Sequence, residues 1–250
     1  MQARVNTYLQ AVAPLGREAG RIRPFLATCT PTSDNPYLNY AIPEDGAEPG
    51  GEDVFDLEAW FAHRHRKPRL EYVTAAAPTV EAVLLAAGFA VEGRLPLMVW
   101  DTHATTDLAA IDDVEVVLAR SDDLLFDMMA VQAEAYESFA PPSRDDVRFA
   151  RAAVERGAIA VVARDLGTWA AVGAGSCSPV VDGLSEVAAL GVVASHRRRG
   201  IAGALARRLA REAADNGADS PFLMAAHETE ARSYERAGFV RISEILHISK

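Results

Sequence analysis

The sequence is poor in cysteine, has no long apolar run and carries no excess of positive charge. Its 250 residues include two cysteines, Cys29 and Cys177, whose spacing fits neither a disulfide framework nor a metal site. No apolar run approaches the roughly 18 residues that indicate a membrane-spanning helix. A formal net charge of −10 argues against general binding to nucleic acids or anionic membranes. The first residues are mixed and polar rather than a secretory signal, so we expect a protein of the reducing cytoplasm.

The length and composition allow one large domain or two small ones. Half of the residues are apolar, which is enough for a sizeable core. Residues 101–113 are polar and rich in turn-forming types, whereas strands and helices are predicted on both sides of them. We therefore expect an α/β protein with two domains, residues 1–113 and residues 114–250.

The most informative stretch is residues 185–216, which predicts a strand, a short basic turn and a helix. Residues 186–193 are mostly small or β-branched and apolar, as expected for a buried strand. Three arginines and Gly200 follow, and apolar residues then recur every four positions on one face of a helix. A helix N-terminus offers unpaired amides and partial positive charge, so this turn is suited to an anion such as a diphosphate. A solvated basic turn that caps the helix is the alternative.

Two motifs in this half resemble those of a known family. Arg197-x-x-Gly200-x-Ala202 resembles the R/Q-x-x-G-x-G/A signature of the GCN5-related N-acetyltransferases (GNAT). Tyr234, followed by Gly238 and Phe239, resembles the Y-x-x-x-G-F motif near the C-terminus of that family. The resemblance implies a mixed α/β sheet with the acyl-CoA N-acyltransferase fold. The predicted element order from residue 114, β-α-α-β-β-β-α-β-α-β, is the order of that fold.

The resemblance implies acetyl-CoA as cosubstrate, because the turn holds its diphosphate in this family. Backbone groups of the preceding strand hold the pantetheine arm and face the thioester carbonyl. The cofactor-binding residues implied in this way are Val192, Val193, Arg197, Arg198, Arg199, Gly200, Ile201, Ala202 and Gly203.

Glu186 and Tyr234 are the candidate catalytic residues. Glu186 resembles the general-base glutamate of some family members, and a chain of water molecules is the alternative base. Tyr234 matches the general acid of the family, since a phenol with a pKa of about 10 keeps its proton at neutral pH and can donate it to a departing thiolate. His227 stands where many relatives have asparagine. Three roles are open for His227: contact with the cofactor arm, action on the substrate, or a structural role.

The first half resembles a second copy of the C-terminal part of the same fold. Gly88-Phe89 lies 150 positions before Gly238-Phe239. Glu48 stands where the second half has an arginine, so the corresponding turn would repel a diphosphate. We interpret residues 1–113 as a degenerate acetyltransferase-like domain without a cofactor, which packs against the second domain and lines the acceptor pocket. Chance similarity of two α/β segments is the alternative.

Other chemistry is not favoured by the sequence. The run from His63 to Lys67 is interpreted as a basic helix end, since no glutamate or cysteine completes a zinc set. No acidic residue is placed to orient Ser195 and His196, so hydrolase chemistry is not expected. A buried, inert thiol is the more common state of a cysteine such as Cys177.

We therefore predict a cytoplasmic, acetyl-CoA-dependent N-acetyltransferase with two tandem domains, the second of which is active. It would transfer the acetyl group directly to a primary amine of a small molecule or peptide, without a metal and without nucleic-acid or membrane partners. A non-catalytic acyl-CoA-binding or regulatory module is the alternative. The small residues Ala188, Ala189 and Gly191 also leave open an enzyme that uses a longer acyl-CoA.

Overall fold

A computed structural model of the chain describes residues 1–31, 33–102, 111–137 and 141–250. It divides into two compact units, Met1–Leu97 with Ile242–Lys250, and Met98–Arg241. The boundary expected after residue 113 is inferred from amino-acid composition, whereas these units are defined by packing contacts. The assignment of two domains therefore stays a prediction. Within the described ranges, every helix is too short or too polar to span a bilayer.

The described part of the first unit combines three α-helices with a mixed sheet. The elements are α1 (Gln2–Val12), β1 (Glu18–Ile22), β2 (Phe25–Cys29), β3 (Tyr40–Pro43), α2 (Gly51–Ala62), β4 (Arg69–Val73), α3 (Val80–Ala86), β5 (Ala90–Trp100) and the end of β11 (Phe239–Ser249). The strands follow the order β1-β2-β3-β4-β11-β5, in which β3 and β4 are parallel and β4 and β11 are antiparallel.

The second unit has the element order that the sequence predicts. The elements before β11 are β6 (Val114–Leu118), α4 (Asp122–Ala135), α5 (Arg144–Glu155), β7 (Ile159–Asp165), β8 (Ala171–Cys177), β9 (Leu184–Val192), α6 (Ile201–Asp215), β10 (Ser220–Met224) and α7 (Glu228–Arg236). Strand β10 is parallel to β9, and β9, β8, β7 and β6 follow in antiparallel pairs. The predicted α/β fold is therefore confirmed.

Helix α6 packs on the sheet of the second unit through one apolar stripe. Ile201, Leu205, Leu209 and Ala213 recur every four positions, and all four are buried. They belong to the same core as the buried residues of β7 and β8. Because burying one leucine side chain contributes about 1.5–3 kcal/mol, this stripe fixes the position of α6 and of its N-terminus.

The helix starts of the second unit differ in how their amides are capped. Ser121 Oγ accepts a hydrogen bond from the N–H of Leu124 at the start of α4, 3.3 Å away. Ser143 and Asp146 form a reciprocal capping box at the start of α5. Such caps contribute about 1 kcal/mol each. Helix α6 begins without a side-chain cap, which leaves its first amides available to a ligand.

Two elements of the first unit depart from the sequence-based expectation. The residues of β1 are mostly exposed and charged or small, so no apolar pattern indicates a strand there. This strand exists because it pairs with β2 in an antiparallel hairpin. The pattern of residues 37–42 predicts a strand, but β3 begins only at Tyr40, since Pro36–Leu38 form a short 3₁₀ helix.

The element order of the two halves repeats at the offset that the sequence suggests. The succession β3-α2-β4-α3-β5 corresponds to β9-α6-β10-α7-β11, and α2 and α6 begin at Gly51 and Ile201. Gly88 and Gly238, which follow α3 and α7, have left-handed φ angles of 89° and 97°. This correspondence supports a second copy of the fold's C-terminal part, while its degenerate origin stays an interpretation.

Candidate functional site

A cleft of about 440 Å³ opens in the second unit where β9 ends and α6 begins. Seven of the nine predicted cofactor-binding residues line it, namely Val192, Arg197, Arg198, Gly200, Ile201, Ala202 and Gly203. Val193 and Arg199 are not part of this lining. The end of α4 and the start of α7 also line the cleft, through Ala135, Tyr136, His227, Glu230 and Ser233.

The cleft lies at the end of β9, beyond the part of the strand that pairs with β10. The ladder between β9 and β10 ends where Glu186 lies opposite Phe222. Beyond that point β9 bulges, since Ala189 has a left-handed φ of 53° and the register with β8 shifts between Ala174 and Ser176. A bulge bends its strand and changes the direction of the backbone groups. The main chain of β9 after Glu186 can therefore pair with an extended ligand.

The first turn of α6 is built to receive an anion. Gly200 precedes the helix with a left-handed φ of 86°, a conformation that side chains with a β carbon disfavour. The first intrahelical bond runs from the N–H of Ala204 to the carbonyl of Gly200, 3.1 Å away. The three preceding amides, those of Ile201, Ala202 and Gly203, have no acceptor within the helix. Together with the partial positive charge of the helix end, they favour a phosphate group.

The three arginines of the turn have different surroundings. Arg197 folds back into the cleft, where its Nε donates to the Val192 carbonyl at 3.1 Å and its Nη2 to the Ala135 carbonyl at 3.4 Å. Arg198 is exposed and lines the cleft. Arg199 instead forms an ion pair with Asp113. Arg198 and the helix amides are therefore the groups most available to a phosphate.

An acidic residue does orient His196, so the expectation that none is placed there is wrong. His196 Nε2 lies 3.4 Å from Asp165 Oδ2, and Ser195 Oγ lies 2.9 Å from His196 Nδ1. The hairpin turn after β7 holds Asp165, and hydrogen bonds from Thr168 keep the pKa of this carboxyl below its usual range. Ser195 does not line the cleft. The trio therefore fixes the His196 ring in the cleft wall, and its hydroxyl is not presented to a ligand there.

Neither predicted catalytic residue lines the cleft. Glu186 is half-buried in the paired part of β9, where its N–H donates to Ser178 Oγ at 2.8 Å. Tyr234 lies on α7 with 3% of its surface exposed, and its ring packs against Phe239. Burial, followed by the charge of Glu230, raises the pKa of the Tyr234 phenol above its ordinary value. The phenol therefore keeps its proton at neutral pH, while the catalytic roles of both residues stay predictions.

Two cleft residues, Tyr136 and Glu230, were missed by the sequence analysis. The Tyr136 hydroxyl donates to the Leu190 carbonyl at 3.0 Å, and Glu230 Oε2 accepts from the N–H of Ala226 at 2.9 Å. The end of α4 reaches β9 because position 191 is a glycine. A β carbon there would lie 2.8 Å from Cβ of Ala135. The sequence shows the glycine and predicts the helix, but it does not show that the helix packs on the glycine.

The corresponding helix start in the first unit is closed to anions. The N–H of Gly50 donates to Asp53 Oδ2 at 2.7 Å, and Glu52 and Asp53 occupy the first turn of α2. Two carboxylates therefore place negative charge at this helix start, which disfavours a phosphate there. This agrees with the sequence-based expectation that Glu48 makes the turn before α2 repel a diphosphate.

The remaining candidate groups are held in structural roles. Burial raises the pKa of the Cys177 thiol to about 12, and its Sγ lies 2.9 Å from Ser185 Oγ. Arg64 and Arg66 donate to main-chain carbonyls near the end of α2. In the part of the chain that the structure describes, no group of three or more His, Cys, Asp or Glu side chains is arranged to hold a metal ion.

Comparisons with known proteins agree with this architecture. Residues 125–239 match the model of the acetyltransferase (GNAT) family. None of the curated proteins matches the sequence. Among solved structures, a GCN5-related N-acetyltransferase from Kribbella flavida has a TM-score of 0.80 at 21% identity, over 100% of this chain and 95% of that chain.

Two further structures resemble the chain over most of its length. A GCN5-related N-acetyltransferase from Sphaerobacter thermophilus has a TM-score of 0.67 at 15% identity, over 91% of this chain and 76% of that chain. A tandem GNAT protein from the clavulanic acid biosynthesis pathway has a TM-score of 0.62 at 14% identity, over 90% and 78% of the two chains. At these identities the likeness concerns the fold. The chain therefore carries a domain of the GCN5-related N-acetyltransferase family, formed by residues 125–239, within a fold that it shares with members of that family.

Proposed function

We propose that the chain is an acetyl-CoA-dependent N-acetyltransferase that acts on a primary amine of a small molecule or peptide. The observation that carries this proposal is the uncapped start of α6 after the end of β9. Its free amides, the left-handed Gly200 and the neighbouring Arg198 suit a diphosphate. The part of β9 beyond its pairing with β10 suits an extended, amide-containing arm, so the residues present fit acetyl-CoA.

The main chain of β9 orients the ligand in this proposal. After Glu186 the strand has left its partner β10, so its amides and carbonyls can pair with the amides of an extended arm. An amide of the strand that faces the thioester carbonyl stabilises the negative charge that develops on its oxygen. The thioester supplies an activated acetyl group. Holding it next to the amine supplies a large part of the rate by proximity.

Two protons must move for the transfer. The nitrogen forms a bond to the acetyl carbon and loses a proton to Glu186 or to a chain of water molecules. The bond between carbon and sulfur breaks, and the leaving thiolate takes a proton. Tyr234 is the proposed donor, since burial keeps its phenol protonated at neutral pH. A Tyr234→Phe variant that binds CoA but releases thiol more slowly supports this role.

The cofactor part of the proposal is tested by binding. CoA must raise the melting temperature if it binds the folded chain. Arg198→Gln is expected to weaken CoA binding about fivefold to thirtyfold at low salt, because a charge-assisted contact of roughly 1–2 kcal/mol is lost. Arg211→Gln, an exposed arginine on the same helix outside the cleft lining, is the matched control. Absence of CoA binding by the unmodified chain at millimolar ligand contradicts the proposal.

The catalytic part is tested by CoA thiol release with a panel of primary amines. The positions of Glu186 and Tyr234 outside the cleft lining favour one other function, a non-catalytic acyl-CoA-binding module. CoA binding without thiol release for any amine supports that module. Thiol release that requires both acetyl-CoA and an amine supports the enzyme.

A further inference from the structure

The described lining of the cleft carries charges of both signs. His196, Arg197 and Arg198 belong to the basic turn next to the N-terminus of α6. Helix α7 contributes Glu230, which carries the one carboxylate among the described lining residues. The basic turn suits a phosphate, whereas Glu230 suits a positively charged group.

One oxygen of Glu230 is available to a ligand. Glu230 is half-buried, and its Oε2 accepts the N–H of Ala226 at 2.9 Å. Its Oε1 has no hydrogen bond or ion pair with the described residues of the chain. By contrast, Glu228, in the same helical turn, is paired with Arg241 at 2.6 Å. Glu230 is therefore a carboxylate in the cleft that has no cationic partner among the described residues.

Aromatic side chains flank this carboxylate. Tyr136 and Glu230 both line the cleft. Burial, followed by the negative charge of Glu230, raises the pKa of the Tyr136 and Tyr234 phenols. Tyr136 leaves 57% of its surface exposed while its hydroxyl is fixed on Leu190. A carboxylate beside an accessible aromatic ring binds ammonium groups, through a charge-assisted hydrogen bond and cation–π attraction.

We infer that Glu230 and Tyr136 bind an ammonium group of the acceptor, and that the acceptor is a diamine or polyamine. Two nitrogens with different protonation states are required. The attacking nitrogen must be neutral, whereas a carboxylate favours the charged form of the group next to it. The nitrogen held by Glu230 is therefore not the one that is acetylated, and the acceptor carries at least two amino groups. This inference rests on the proposed acetyltransferase function.

The test uses 1,4-diaminobutane and butylamine, which differ in one amino group. Glu230→Gln keeps an acceptor for the Ala226 amide and removes the charge, and Glu228→Gln is the matched control in the same turn. We expect the unmodified chain to prefer the diamine about tenfold to a hundredfold in kcat/KM. In Glu230→Gln this ratio is expected to fall to about one, and in Glu228→Gln it is expected to stay unchanged.

A binding measurement keeps the test independent of turnover. Titration of 1,4-diaminobutane into the CoA-saturated chain is expected to give a dissociation constant at least tenfold weaker for Glu230→Gln than for the unmodified chain. Equal affinity of the two, or no preference of the unmodified chain for the diamine, overturns the inference. Loss of CoA binding in Glu230→Gln also overturns it, since Glu230 would then serve the cofactor. Failure of the unmodified chain to bind CoA instead contradicts the proposed function.

Discussion

The hydroxyl of Tyr136 donates a hydrogen bond to the main-chain carbonyl of Leu190, 3.0 Å away. The bond joins the end of α4 to the bulged part of β9, where the strand has left β10. It therefore fixes the position of Tyr136 in the lining of the cleft. This contact depends on a helix and a strand that lie 54 positions apart in the sequence.

Gly191 allows that contact to form. In Gly191→Ala the new methyl group would lie 2.8 Å from Cβ of Ala135, so the end of α4 must move away from β9. We expect a loss of about 1–3 kcal/mol in the free energy of unfolding, the usual cost of overpacking. Urea unfolding measures it. Gly51→Ala, at a position with no atom within 4 Å of the new methyl group, is the control and is expected to be neutral or stabilising.

Gly200 is expected to tolerate asparagine better than alanine. Its φ of 86° is left-handed, and asparagine enters that region at lower cost than other side chains. Gly200→Ala should lower the free energy of unfolding by about 1 kcal/mol and weaken CoA binding, because the first amides of α6 lose their alignment. Gly200→Asn should lose less stability and less affinity for CoA than Gly200→Ala. Equal behaviour of the two variants in urea unfolding and CoA titration would contradict this account of the turn.

Arg199 is expected to matter less for CoA than Arg198, although the family motif treats them alike. Arg199 is paired with Asp113, whereas Arg198 lines the cleft. Calorimetric titration of CoA into Arg199→Gln and Arg198→Gln should therefore give the smaller loss of affinity for Arg199→Gln. Asp113→Asn is informative as well, since it frees Arg199 and should leave CoA binding unchanged or stronger. A larger loss in Arg199→Gln would mean that the ion pair breaks when CoA binds.

The parts of the site that the sequence predicts are local, and the parts it misses come from distant segments. The strand, basic turn and helix around Gly200 are contiguous, so periodicity and turn chemistry predict them. Asp113 and Asp165 reach the turn only because β6 and β7 pair with Val114 opposite Asp165. Tyr136 and Glu230 line one cleft because the end of α4 and the start of α7 both contribute to it. Contacts between such distant segments depend on tertiary packing, which local sequence patterns do not predict.

The first unit should lose stability in mild acid because of His247. This imidazole is 8% exposed, and burial lowers its pKa below the ordinary value of 6.5, an effect that Arg69 reinforces and Glu71 and Glu92 oppose. Its Nε2 has no hydrogen-bond partner among the described residues, and Glu71 Oε1 lies 3.7 Å from it. In the unfolded chain the same imidazole takes up a proton near its ordinary pKa. Between the two pKa values the unfolded state therefore binds more protons.

The free energy of unfolding should consequently rise with pH through this window and fall as the pH drops below about 6.5. For one proton the slope is at most about 1.4 kcal/mol per pH unit. Urea unfolding between pH 7.5 and pH 5 measures this slope. His247→Gln, which cannot be protonated in that range, should show a shallower dependence than the unmodified chain. His65→Asn replaces an exposed histidine with a left-handed φ of 53°, a conformation that asparagine accepts, and should keep the full slope. An unchanged slope in His247→Gln would assign the acid sensitivity to other groups, and a shallower slope in His65→Asn would show that burial is not its cause.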